Sequence, residues 1–146
     1  MELDNDFKEF LQLLNQYKVE FLIVGGYAVA FHGYPRYTGD FDIWINASGE
    51  NADNLIRAVD AFGFETEGLQ NLNFETETIA FHLGTPPIRI DIMNQISGVK
   101  FNECFSRRIV TEVNGVTSNY IGLPDLLKNK KASGRLKDLN DIENLQ

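Results

Sequence analysis

Cysteine is almost missing from this sequence: Cys104 stands alone. No disulfide can therefore form within the chain, which excludes a small disulfide-stapled extracellular scaffold. Basic residues are also scarce, with 13 Lys and Arg against 21 Asp and Glu and a net charge of -8. Such a balance excludes a broadly basic surface for nucleic acid, because neutralising phosphates needs clustered Lys and Arg. The longest apolar stretch, residues 21–31, is interrupted by Gly25, Gly26 and Tyr27 and is too short to span a bilayer. The first residues are acidic where a secretory signal would be basic, so no export signal, no membrane association and a cytoplasmic location are expected. His32 and His82 are the only histidines and lack zinc-ligand spacing, so partly buried polar roles are expected of them.

What is present is ordinary in amount and informative in order. With 146 residues, 43% hydrophobic and 23% charged, the chain is expected to form one domain over residues 1–146. Phe7, Phe10, Leu11, Leu14 and Tyr17 recur at helical spacing, predicting a helix over 4–17 with Asp4 as its cap. A β-branched and aromatic run at 19–24 predicts a buried strand that stops at Gly25-Gly26, followed by a short helix over 27–32. Residues 51–62 carry a second helical stripe, and 78–83 and 88–93 read as paired strands around Gly84-Thr-Pro-Pro. Asn114-Gly115 marks a hairpin between 107–113 and 116–121. Helices are expected from Pro124 to 133 and, after Gly134, over 136–145. A mixed α/β (α+β) architecture, one sheet flanked by helices, accommodates all of these.

The chemistry lies in the carboxylates. Asp40-Phe-Asp-Ile-Trp-Ile alternates polar and apolar residues, so a strand here sends Asp40, Asp42 and Trp44 to one face and Phe41, Ile43 and Ile45 to the other. Asp91 likewise leaves the apolar face of its strand, opposite Ile88, Ile90 and Ile92. Three such carboxylates together form the hard-oxygen set that Mg²⁺ or Mn²⁺ prefers, and they repel one another unless a cation intervenes. Gly25 and Gly26, between a strand and a helix, leave backbone N–H groups open to phosphate oxygens.

These elements together resemble a known family. Leu22-Ile-Val-Gly-Gly-Tyr-Ala-Val followed by Arg36-Tyr-Thr-Gly-Asp-Phe-Asp-Ile is similar to the signature of the nucleotidyltransferase superfamily, of polymerase-beta-like fold. Arg89-Ile-Asp-Ile-Met is similar to the strand bearing its third carboxylate. The segment from Pro124 to Ile142 resembles the close of small prokaryotic members, AbiEii-type toxins among them, with Lys130 on the phosphate lysine and Arg135, Lys137 and Asp138 on an Arg-x-Lys-Asp stretch. The resemblance implies a metal-dependent transfer of NMP from an NTP to a hydroxyl on a protein, RNA or small molecule, with release of pyrophosphate. Asp40, Asp42 and Asp91 would be catalytic and metal-binding, and Gly25, Gly26, Lys130 and Asp138 nucleotide-binding. It also implies a toxin–antitoxin setting, with an antitoxin partner or a homo-oligomer. Gly26 departs from the serine many active members carry, and the alternative is a catalytically inactive nucleotide-binding or protein-interaction module on the same fold.

Other residues carry two readings or a plain one. Arg36 and Thr38 suit phosphate contact or turn chemistry equally. Asp138 could reach the site or pair with Arg135 or Lys137. Lys128 and Lys131 are expected on the surface, while Cys104 and Trp44 are expected in the interior.

Overall fold

The computed structural model describes residues 3–146. Asp4 caps the first helix, its carboxylate accepting from the Asp6 N–H at 2.8 Å, and α1 (Asn5–Gln16) buries the stripe Phe7, Phe10, Leu11 and Leu14. β1 (Phe21–Val24) is buried along its whole length and runs directly into α2 (Gly25–Phe31). β2 spans Asp40–Ile45 as its alternation predicts. Ser48 then caps α3 (Gly49–Ala61), which buries Leu55, Ala58 and Val59. A short α4 (Glu67–Gln70) leads to the antiparallel pair β3 (Ala80–Thr85) and β4 (Ile88–Met93). After α5 (Phe101–Ser106) come the hairpin β5 (Ile109–Val113) and β6 (Val116–Tyr120), then α6 (Leu123–Ser133) and α7 (Leu136–Leu145).

All six strands join one mixed sheet in the order β3-β4-β2-β1-β6-β5. β2 lies parallel to β4 and antiparallel to β1, which in turn runs parallel to β6. On one face, Phe41 stacks on Phe7 of α1 with ring centroids 4.8 Å apart, and the cluster continues through Tyr27. On the other, Trp44 is 1% exposed and meets Phe101 of α5 edge-on at 5.1 Å. Trp44 is thus a core residue, as expected, although its indole N–H is buried without a partner. Cys104 is fully buried as well. Asn51, 4% exposed, ties the ends of β1 and β2 to α3 by bonding Glu20 and Asn46 backbone groups.

Two helices and several boundaries differ from the sequence reading: α2 begins at Gly25 rather than at Tyr27, and β3 runs Ala80–Thr85 rather than 78–83. α4 and α5 are too short to show a helical period, and neither has a side-chain cap. Arg107 and Arg108, expected to open a strand, instead close α5, with their N–H groups bonding back to Cys104 and Phe105 carbonyls. Among the described residues, no helix is long and apolar enough to cross a membrane.

Candidate active site

Because β2 and β4 pair in parallel, with Asp42 directly opposite Asp91 and Asp40 opposite Arg89, the three aspartates share one face of the sheet. They line a cavity of about 340 Å³ whose other wall carries Lys130, Arg135, Lys137 and Asp138. Burial, then the charges of Asp91 and Asp40 and a hydrogen bond with Asp91, push the Asp42 carboxyl up to about 7. The Lys137 ammonium acts in the opposite direction.

Gly25 belongs to this cavity and has a physical reason to be glycine. Its φ is +66°, and a Cβ there would collide with the Asp42 carboxylate. Gly26 does not line the cavity; it is buried against Thr38, whose side chain fills the space a Cβ would need. A serine at position 26 could not fit without displacing Thr38, which bonds the Asp40 carbonyl at 3.2 Å. Thr38 therefore serves the loop before β2.

Lys130 reaches the cavity wall but is not a free cation. It is 4% exposed and pairs with Asp138 at 3.2 Å and Asp141 at 3.0 Å. Asp141 also takes the Arg36 guanidinium through two bonds, at 2.8 and 2.9 Å. Asp138 takes Arg135 Nε at 2.8 Å and its backbone N–H at 3.3 Å, capping α7. The result is a continuous chain Arg36–Asp141–Lys130–Asp138–Arg135 that fastens α7 to α6 and to the loop before β2. Burial pushes the Asp138 carboxyl up, but hydrogen bonds from Arg135, Ser133 and Lys130 outweigh it and hold the group well below the usual carboxylate range. Asp141 is lowered in the same way by Arg36 and Lys130, against its own burial. Arg36 is thus engaged in an ion pair with Asp141 that neither of its two readings contained, and Asp138 pairs with Arg135 while remaining on the cavity wall.

Three residues gain importance that the sequence reading did not give them. Lys137 lines the cavity, faces Asp42 electrostatically and is in no ion pair among the described residues. Arg89 pairs with Asp91, Nε to Oδ1 at 2.8 Å, a neighbour relation that the two-residue period of a strand already contained. His82 is exposed rather than partly buried and stands directly opposite Asp91 on β3; only strand pairing reveals that.

The donor set is all carboxylate oxygen, with like charges crowded at Asp42, and this chemistry fits a hard divalent ion. As the side chains stand, however, no three of the described His, Cys, Asp and Glu residues are grouped to hold a metal ion. One oxygen of Asp91 is taken by Arg89.

No protein-family model matches the chain, and no curated protein matches its sequence. Solved structures do match. A Thermotoga maritima protein assigned to the nucleotidyltransferases aligns with TM-score 0.63 and 19% identity over 95% of this chain and 87% of its own. The lincosamide antibiotic adenylyltransferase LnuA, with lincomycin bound, aligns with TM-score 0.65 and 18% identity over 99% and 96%. ANT(2″)-Ia in complex with adenylyl-2″-tobramycin gives 0.55 and 11% over 95% and 84%. At these identities the likeness is one of fold, and with the six-stranded mixed sheet and its flanking helices it shows that the chain has the nucleotidyltransferase fold.

Proposed function

We propose that this protein is a nucleotidyltransferase that moves NMP from an NTP to the hydroxyl of an acceptor and releases pyrophosphate. The observation that carries the reading is Asp42 beside Asp91, with Asp40 on the same face, across a cavity from Arg135 and Lys137. Asp40, Asp42 and Asp91 would hold Mg²⁺ or Mn²⁺, which when bound offsets their mutual repulsion and the charge of the triphosphate. Lys137 and the exposed edge of Arg135 face the β- and γ-phosphates, while Lys130 holds α7 in place for them. The acceptor oxygen bonds to the α-phosphorus, the bond to the β-phosphate oxygen breaks, and the acceptor proton passes to Asp91.

The acceptor we favour is a small hydroxylated molecule, because LnuA and ANT(2″)-Ia are solved with lincomycin and adenylyl-2″-tobramycin and this chain spans 96% of the former. A toxin acting on protein or RNA, held by an antitoxin, rests on the Lys130 and Arg135-x-Lys137-Asp138 pattern alone. A cytoplasmic setting accords with the lone, buried Cys104.

The test is transfer of label from [α-³²P]NTPs with Mg²⁺ or Mn²⁺ to a panel of aminoglycosides, lincosamides, RNAs and proteins. Asp42→Ala should abolish labelling; equal labelling by the variant would sink the proposal. The Arg89–Asp91 pair favours one second reading, a nucleotide-binding or interaction module without turnover. Calorimetry with NTP and Mg²⁺ beside the transfer assay separates the two, since tight binding with no labelled product supports the module.

A further inference from the structure

β5 is an edge of the sheet, paired on one side with β6 and, among the described residues, on the other with nothing. Edge strands in soluble proteins are usually blunted by charge, bulges or proline. β5 instead exposes two consecutive large apolar residues, Ile109 at 41% and Val110 at 56%. The opposite edge, β3, carries exposed His82 and a bend at Gly84, whose φ is +81°.

The hairpin fixes which backbone groups of β5 are free. Asn114 and Gly115 form a two-residue turn flanked by the pair Val113 and Val116, and such a turn makes its flanking pair a hydrogen-bonded one. Alternation then directs the N–H and C=O groups of Val113, Thr111 and Ile109 to β6, and those of Val110 and Glu112 outward. The Arg108 carbonyl also faces outward, while its N–H is held by the Phe105 carbonyl at 3.3 Å. Val110 and Glu112 share one face by alternation, and Arg108, just before the strand, is half-buried with its Nη1 donating to the Phe105 carbonyl at 2.9 Å, so opposite charges lie two residues to either side of an exposed valine. Neither Arg108 nor Glu112 is in an ion pair among the described residues. Arg108 rests its guanidinium 3.9 Å from the Phe105 ring, at the strand end.

A strand with this pattern is complementary to itself. We infer that β5 is the interface with a second copy of this chain, the two strands running antiparallel about a two-fold axis at Val110. In that register Val110 exchanges backbone hydrogen bonds with its copy, and each Glu112 N–H donates to the other Arg108 carbonyl. Each Arg108 side chain also stands across from a Glu112 carboxylate. A two-fold axis at Thr111 would also let Val110 and Glu112 exchange backbone bonds, but it leaves Arg108 and Glu112 with no opposite charge across the axis, and one at Glu112 would set two carboxylates against each other. The Val110 register alone satisfies hydrogen bonding and charge together, and it joins two six-stranded sheets into one continuous sheet. This interface stands apart from the proposed activity.

The test is sedimentation equilibrium of the full chain up to about 100 µM, where a small standard interface is populated, with the wild type expected to form a dimer. Glu112→Arg and Arg108→Glu should each weaken self-association by at least about tenfold, since each sets like charges across the axis twice. An equimolar mixture of the two single variants should recover the dimer, because both cross-axis pairs are then opposite in charge. Val110→Lys, which changes a solvent-facing residue and places two ammonium groups on the axis, should give a monomer whose melting temperature matches that of the wild type at concentrations low enough for the wild type to be monomeric. A wild-type monomer throughout the range would overturn the inference. So would single variants that associate like the wild type, or a mixture that stays monomeric.

Discussion

At the scale of single residues, Asp42 is the group whose protonation the cavity alters most visibly. Its carboxyl rises from 3.8 to about 7 in the folded protein. The unfolded chain therefore loses this proton at lower pH than the folded one, and stability falls as pH rises from about 4 to about 7. Thermal melts without divalent ions should show this decline, and Asp42→Asn should flatten it. Adding Mg²⁺ above pH 7 should raise the melting temperature of the wild type and leave that of the variant unchanged. The two lysines of the cavity wall should separate in kind. Lys130→Ala leaves Asp138 and Asp141 buried with less compensation and should cost about 3–5 kcal/mol of stability in urea unfolding. Lys137→Ala breaks no ion pair and should keep the stability while raising the nucleotide Kd by about tenfold or more, as loss of a charge-assisted bond to phosphate does. The sequence named Lys130 for phosphate and gave Lys137 only as part of the Arg-x-Lys-Asp stretch. Which lysine is neutralised depends on Asp138 and Asp141, and on Arg36 sharing Asp141 from far along the chain.

Among elements, α7 is unusual in what holds it. Its buried residues are Asp138 and Asp141, while Leu136 is 87% and Leu139 49% exposed. Ion pairs are therefore the buried contacts that dock it, with Leu145 adding partly buried apolar contact to the core. Both carboxyls are lowered in the folded state, so their contribution is present above the unfolded pKa, about 4, and is lost as pH falls through the depressed folded values. Hydrogen exchange should show α7 amides losing protection below about pH 4 while those of β1 and β2 remain protected, and Asp141→Ala should release α7 at neutral pH. Uniform loss across the sheet would contradict this picture. α1, α3, β2 and β4 were legible because their period is imposed by one buried face, and Asp4 and the Asn114-Gly115 turn announced their own positions. α4 and α5 were not, since a helix of one or two turns leaves no periodicity, and the contact of Phe101 in α5 with Trp44 is tertiary.

For the whole molecule, strand order makes the site. β2 lies between β1 and β4, so Gly25 at the end of β1 and Asp91 on β4 flank Asp42 from opposite sides. The same central strand sends Phe41 into the core against Phe7, both nearly or wholly without solvent exposure. Phe41→Ala should cost about 3–5 kcal/mol by chemical denaturation, as truncation of a buried aromatic does. It should lower the apparent divalent-ion affinity only through the unfolded fraction.

By itself the sequence determined the faces. A period of two put Asp40 and Asp42 on one side of a strand and Asp91 on the polar side of another, and a glycine pair marked where the chain turns, because these depend only on local backbone geometry. Tertiary structure alone decided the neighbours. That Asp91 stands beside Asp42 follows from parallel pairing of strands far apart in the chain, and that Lys130 is buried in ion pairs follows from two helices closing over it. Charge interactions depend on distance through the folded protein, and residues distant along the chain become close only once the sheet has ordered its strands.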